Sequence, residues 1–375
     1  MKLISALHVL LAAAVLTALG STPIFASECE EEYYGCGGPV CYADVPNMIG
    51  DMGLGRRALL TNNGVTGDYV GAHLTPAGGR LFKAADNNSP IPESRFYYNF
   101  GYLPEAQSFQ PLIGATPGPI RGIHVRLHEF GAEWAFWNNR VSAQLNLPFR
   151  CAANTGLDLS GGPGTYDIGS TELGNVSVAL KGLLYRDRQK ALSVGLAVDF
   201  PTADDVSFID GNGDLFRVGN DSTTISPFVG WQILPSDDTF VQGFFQLAIP
   251  LDGYQYSIDP AAPFLPAQQF TFDEQTLLNV DVGVGRWLFR TAGNEGLALI
   301  AELHYTAALD GASSVYVPMT NNTFTQDDFS SYNATMGATL KLDQWTFTLA
   351  LVVPLFDSPD RFTDGGMALQ INRAL

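Results

Sequence analysis

Between Arg95 and Leu375 the sequence falls into short segments in which apolar and polar residues alternate with a period of two, and the connections between those segments are alternately short and long. This double regularity constrains the fold more than any motif does. A period of two sends successive side chains to opposite faces of an extended strand. In Ala191 to Phe200, Leu192, Val194, Leu196, Val198 and Phe200 share one face, while Ser193, Gly195, Ala197 and Asp199 share the other. Trp345 to Leu355 repeats the pattern, with Trp345, Phe347, Leu349, Leu351 and Val353 opposing Thr346, Thr348 and Ala350. Val241, Gly243, Phe245, Leu247 and Ile249 oppose Gln242 and Gln246, and Leu278, Val280, Val282 and Val284 oppose Asn279, Asp281, Gly283 and Gly285.

The alternation predicts twelve strands, at 95–101, 122–136, 140–150, 171–185, 190–200, 223–234, 238–250, 275–289, 296–308, 331–343, 345–356 and 366–375. The short connections are Trp137-Asn138-Asn139, Arg186 to Gln189, Pro235-Ser236-Asp237, Thr291 to Glu295 and Leu342-Asp343-Gln344. Between them lie long polar links near 102–121, 151–170, 201–222, 251–274 and 309–330, and a shorter one at 357–365. A membrane barrel has short periplasmic turns on one rim and long external loops on the other, and an even strand number returns both termini to one side. A soluble sandwich also alternates along its strands, but its strands run about 5–6 residues and nothing in it requires loop lengths to alternate. The fold class expected is therefore all-β: a transmembrane antiparallel β-barrel of about 12 strands spanning 95–375. Trp134, Phe136, Trp231, Trp287, Phe289, Trp345 and Phe356 fall near strand ends, where aromatic girdles belong.

Composition agrees with a chain half in lipid. Charged residues are only 15% of 375, with 39 Gly, 24 Phe and 14 Tyr, which excludes a disordered polyelectrolyte. The 20 Lys+Arg against 38 Asp+Glu give a net charge of −18 with no segregated basic patch, an arrangement that repels nucleic acid.

At the amino terminus, Lys2 precedes an apolar run from Leu3 to Leu19 and small residues up to Ala26, so residues 1–26 read as a cleavable signal peptide. Residues 27–94 are rich in Gly, Asn, Pro and acids and lack periodicity; a periplasmic extension and a plug inside the barrel both fit them. This segment carries Cys29, Cys36 and Cys41, and Cys151 lies further on. In an oxidising compartment four cysteines allow three pairings, of which Cys36 with Cys41 closes the most local loop. The intervals lack a CxxC pair and a nearby His, which argues against zinc.

The inward strand faces would carry Lys181, Asp199, Gln242, Gln246, Asn279, Asp281, Glu302 and His304, a polar lumen lining that tunes which solutes pass. Glu302 and His304, two apart on one face, form the acid and base of an alternative enzymatic reading, a barrel-borne hydrolase, but no GxSxG elbow or HExxH accompanies them and no enzyme is expected. His124, Arg126 and His128 also share a face, but the two imidazoles are about 13 Å apart at roughly 3.3 Å per residue, too far to share one ion. Asp210, Asn212, Asp214 and Asp221 have the alternating oxygen ligands of a weak surface Ca²⁺ site, while Leu215 stands where an EF-hand needs Gly; a plain acidic turn is the competing reading. No cofactor is implied.

Two stretches resemble a known group. Phe82-Lys83-Ala84-Ala85-Asp86-Asn87-Asn88-Ser89-Pro90-Ile91-Pro92 followed by Arg95-Phe96-Tyr97-Tyr98-Asn99-Phe100 is similar to the lead-in to the first strand of predicted bacterial outer-membrane β-barrel proteins of the aromatic-degradation-pathway type. Glu129 to Trp134 and Asn139 to Phe149 resemble their second hairpin. The resemblance covers about the first third of the exported chain and implies the outer membrane of a Gram-negative-type bacterium, contact with its lipid, insertion by barrel-assembly machinery and passage of small-molecule solutes. It implies no particular solute. The chain departs from many such barrels by ending in Leu375 instead of an aromatic residue. A channel or transporter is thus the expected function; an adhesive or structural barrel whose acidic external loops bind a partner is the alternative.

Overall fold

The computed structural model describes residues 45–52, 58–61, 69–74, 81–113, 116–117, 121–153, 171–209, 215–260, 266–291, 295–310, 313–317, 322–326, 330–356 and 363–375. The expected signal peptide, the Cys36 and Cys41 pair with Cys29, and Asp210, Asn212 and Asp214 lie outside these residues. The barrel strands are β1 (Arg95–Ile113), β2 (Arg121–Phe136), β3 (Val141–Ala153), β4 (Ser177–Arg186), β5 (Lys190–Asp199), β6 (Thr224–Ser236), β7 (Thr239–Pro250), β8 (Leu277–Arg290), β9 (Gly296–Ala308), β10 (Ser330–Leu342), β11 (Trp345–Pro354) and β12 (Gly366–Ala374). Each pairs antiparallel with its sequence neighbour. β12 then pairs with β1, from Met367 opposite Tyr102 to Ala374 opposite Arg95, and the ring closes. Closure satisfies every strand edge, which a sheet in lipid requires.

The two faces of these strands differ in the sense expected for a membrane barrel and opposite to a soluble sandwich. Leu180, Leu196, Phe245, Leu299, Leu303, Met336, Leu349 and Leu351 are exposed on the outside. Asp199, Gln242, Gln246, Asp281, Glu302 and Thr335 are buried on the inside. A contiguous apolar outer belt of this kind belongs to lipid. Period two alone produced it, because the inward and outward residues of each strand were already separated in the sequence.

Several expectations are corrected. β1 continues to Ile113 instead of stopping at 101, because beyond the barrel wall it keeps pairing with β2 on one side, Phe109 opposite Arg121, and with the short strand Tyr69–Leu74 on the other. Tyr69–Leu74 itself pairs with Ala58–Thr61, within a segment whose sequence has no sustained periodicity. β4 starts at Ser177, and Thr171–Leu173 forms a separate short strand against Phe149 to Cys151. The long links are also strand-bearing: Val206–Ile209, Leu215–Val218, Tyr254–Asp259 and Gln268–Phe272 form a four-stranded sheet from two different links, and Ser313–Val317 pairs with Asn322–Gln326. Three of these pairings are hairpins within one link, and only that of Leu215–Val218 with Tyr254–Asp259 joins two links, a pairing for which the sequence has no local signal.

Trp287 is the one misplaced girdle residue. It is 4% exposed, on the lumen side, packed with Phe240, Ala298 and Ile300, whereas Phe289 is 51% exposed. A register shift between Trp287 and Phe289 returns the second ring to the outer face.

Within the ring lie two non-strand pieces of the amino-terminal segment, residues 45–52 and 81–92. Met48, Ile49, Ala84, Ala85 and Asn87 have no exposed surface. The pieces are joined to each other by Met48 N donating to Asn88 O at 2.9 Å. Gly50 sits at φ +80, where its missing Cβ would lie 1.8 Å from Asp86 Oδ1, so both the backbone twist and the close approach require glycine.

Candidate functional site

All eight lumen residues singled out from the sequence are buried, and the structure brings most of them to the inner segment. Glu302 on β9 accepts from two successive backbone amides, Ile49 N and Gly50 N, both at 2.8 Å. Paired amides of this kind form a small anion cradle. Gln246 on β7 reads backbone in both directions: it accepts from Ala84 N at 2.7 Å and donates to Phe82 O at 2.7 Å. Asp199 on β5 accepts from Phe82 N at 2.8 Å, and Gln242 on β7 donates to Pro46 O at 2.8 Å. Asn279 and His304 instead meet the wall: Asn279 accepts from Thr306 on the neighbouring strand at 2.8 Å, and His304 lies against Asp281 and Glu302.

The inner segment answers with charge. Lys83 Nζ lies 2.8 Å from Asp51 Oδ1 and 3.1 Å from Asp281 Oδ1 on β8. Asp281 Oδ1 also meets His304 Nδ1 at 2.8 Å, and Asn333 on β10 donates to Asp51 Oδ2 at 2.8 Å. His304 Nε2 stands 3.3 Å from Glu302 Oε2, close enough for Coulomb attraction but not aligned as a hydrogen bond. Burial opposes ionisation of Lys83, yet Asp281 and Asp51 outweigh it and hold the ammonium above its ordinary value. For Asp51 burial pushes the carboxyl up, and Lys83 with the hydrogen bonds outweighs it, leaving the group well below the usual carboxylate range. The acid and base of the enzymatic reading, Glu302 and His304, are thus taken up by holding backbone and a neighbouring carboxylate.

A second charged cluster belongs mainly to the wall. Glu133 on β2 lies 3.2 Å from Arg95 Nε on β1 and 2.9 Å from Lys181 Nζ on β4, and accepts from Ser142 at 2.6 Å. Arg95 donates to Asn372 on β12 at 2.7 Å and to Asn87 O at 2.7 Å; Lys181 donates to Ser89 O at 2.7 Å. Asp51, Lys83, Asn87, Arg95 and Glu133 join the site without being among the residues expected there from the sequence. Parity signals two of them: Arg95 shares a face with Tyr97 and Asn99, and Glu133 shares one with Glu129. The inner-segment residues have no comparable local signal.

Packing around these contacts leaves little space. The cavity bounded by Phe82, Lys83, Asp86, Glu129, Asn146 and Asn175 holds about 10 Å³, room for one water. Of the remaining sequence candidates, Asp221 is exposed, and His124, Arg126 and His128 lie on the outer face of β2, away from the lumen.

The fold and its lumen define a closed twelve-stranded transmembrane β-barrel with part of its own chain inside. No protein-family model matches the chain, and no curated protein matches it. Among solved structures it is similar to the Pseudomonas putida toluene transporter TodX, at 13% identity over 87% of this chain and 98% of that one with a TM-score of 0.44. It is similar also to the KdgM porin (8% identity, 75% and 99% covered, TM-score 0.37) and to the β domain of the Bordetella autotransporter BrkA (10%, 76% and 100%, TM-score 0.41). The barrel assignment rests on the strand pairing itself.

Proposed function

We propose that the chain is an outer-membrane channel or transporter for small solutes whose lumen is closed by residues 45–52 and 81–92, and that passage requires this segment to move. The observation that carries the reading is the chemistry of the closure. The wall holds the segment through reversible hydrogen bonds to its backbone, from Glu302, Gln246, Gln242 and Asp199, on a lumen face that remains polar when the segment leaves. Export by a cleavable signal peptide and residence in the outer membrane belong to the same reading. The segment adds an apolar side, with Ile49, Met52 and Leu81 packed beside Leu103, Val125 and Leu127, which favours closure at rest.

A second reading is supported by the closure itself: a non-conducting barrel that displays the strand-bearing long connections to an external partner. Planar-bilayer conductance separates the two. The channel reading expects brief openings from the intact chain and sustained conductance after deletion of residues 45–92. Silence in both sinks it and leaves the structural barrel.

A further inference from the structure

The outer face of β2 carries a feature that neither the lumen nor the closure uses. His124, Arg126 and His128 alternate on it, with Arg126 exposed, among the aromatic residues Tyr98, Phe100, Tyr102 and Phe149. Tyr102 stacks on His124 with ring centroids 5.9 Å apart, and the His128 ring lies 5.2 Å from that of Phe100. The Tyr98 hydroxyl meets His128 Nδ1 at 2.8 Å. When that hydroxyl donates, Nε2 carries the ring hydrogen and is left to serve an outside acceptor. Among the described residues no carboxylate makes an ion pair with Arg126.

Height on the barrel gives this patch its meaning. Phe136 and Trp137 mark the short-turn rim on the same hairpin, both exposed. Arg126 lies ten positions from Phe136; at roughly 3.3 Å per residue and a strand tilt of about 40° this is about 25 Å, the thickness of the apolar band of an outer-membrane barrel. Arg126 therefore stands where the hydrocarbon ends at the long-connection rim, and His124 stands just above it. Among the described residues no other cation faces outward on the barrel strands at this rim, where Ile249, Tyr305, Tyr332, Val353 and Phe356 stand. Arg286 and Arg373, also exposed, are near the opposite, short-turn rim. A chain of net charge −18 thus places an isolated cationic, donor-rich patch at one headgroup level, flanked by rings that fit acyl chains.

We propose that His124, Arg126 and His128 form a binding site for a phosphorylated glycolipid of the lipid A type in the external leaflet, with a phosphate on Arg126 and its acyl chains along Phe100, Phe130 and Phe149. The proposal rests on the outer-membrane reading above, with the long connections outside. Charge complementarity selects the occupant: a guanidinium and imidazole donors at the edge of hydrocarbon match a phosphate monoester, and the rings below match its chains.

The test measures binding of diphosphoryl lipid A, and of the same lipid with its phosphates removed, to the detergent-solubilised full chain by native mass spectrometry. Dephosphorylation and Arg126→Gln should each weaken retention about tenfold, and the two losses should not add. Arg373→Gln, a cation on the same lipid-facing surface at the opposite rim, should leave retention unchanged. Equal binding of both lipids, or an Arg126→Gln chain that binds as the unmodified one does, overturns the site. Heat-modifiable gel migration is recorded for every variant: a chain monodisperse without detergent overturns the membrane reading and this site with it, whereas a detergent-dependent, heat-modifiable barrel with no phosphate preference overturns this site alone.

Discussion

The two buried charge clusters of the lumen look alike in composition and differ in ownership. Around Glu133 the opposing charges, Arg95 and Lys181, all belong to barrel strands, and the inner segment contributes mainly backbone carbonyls of Asn87 and Ser89. Around Asp281 the counter-charge, Lys83, belongs to the inner segment, which brings Asp51 as well. If the segment leaves, the first cluster keeps its own carboxylates, Glu133 and the Glu93 group 2.9 Å from Arg95 Nε, and the second loses its ammonium. The first therefore behaves as part of the wall and the second as a latch, because a buried charge costs heavily only when its partner departs.

The largest effect tests the wall. Glu133→Gln leaves Arg95 and Lys181 without their shared carboxylate, a loss of about 3–5 kcal/mol on the scale of broken buried ion pairs. Unfolding in urea followed by tryptophan fluorescence should show it as a lower midpoint, with closure retained while the barrel stands. A Glu133→Gln barrel of unchanged stability that conducts continuously would erase the distinction.

Next comes the latch. Lys83→Met strips Asp281 and Asp51 of their ammonium, a penalty of about 3 kcal/mol confined to the closed state. It should appear as a more than hundredfold rise in the ratio of open to closed time in a bilayer, with heat-modifiability preserved. A Lys83→Met chain that unfolds and never conducts would make this cluster structural too.

The smallest effect is that of pH. Asp51 is held below its ordinary value of 3.8 in the closed state and regains that value on release, so its contribution to closure is fully present above about pH 4 and fades as pH falls below it. Opening should therefore increase between about pH 4 and pH 3 and be flat from pH 5 to 8 for this group, and Asp51→Asn should abolish the dependence. Conductance that falls on acidification instead would reverse the assignment.

Much of the barrel is legible in the sequence. The twelve strands and their two faces follow from period two, and the eight buried lumen residues follow from parity, since each is fixed by its immediate neighbours. The girdle shows the limit of that logic: Trp287 and Phe289 share the parity of the inward Asp281, against the outer girdle expected of both, and only the register shift between them returns Phe289 to the outer face. The pairing between two long links was invisible for a different reason. Leu215–Val218 pairs with Tyr254–Asp259 from another link, and neither segment carries a local signal of the other.

What the sequence by itself determined is therefore the wall: extended segments, an apolar outside, a polar inside, and alternating connections that leave one rim smooth and one elaborated. What only the tertiary structure decided is what fills the wall. Residues 45–52 and 81–92 have no periodicity, and their contacts bridge long stretches of chain, from Ile49 to Glu302 and from Lys83 to Asp281. Their place is set by which buried donors and acceptors remain unsatisfied once the ring has closed, and that requirement does not exist until the first and last strands meet.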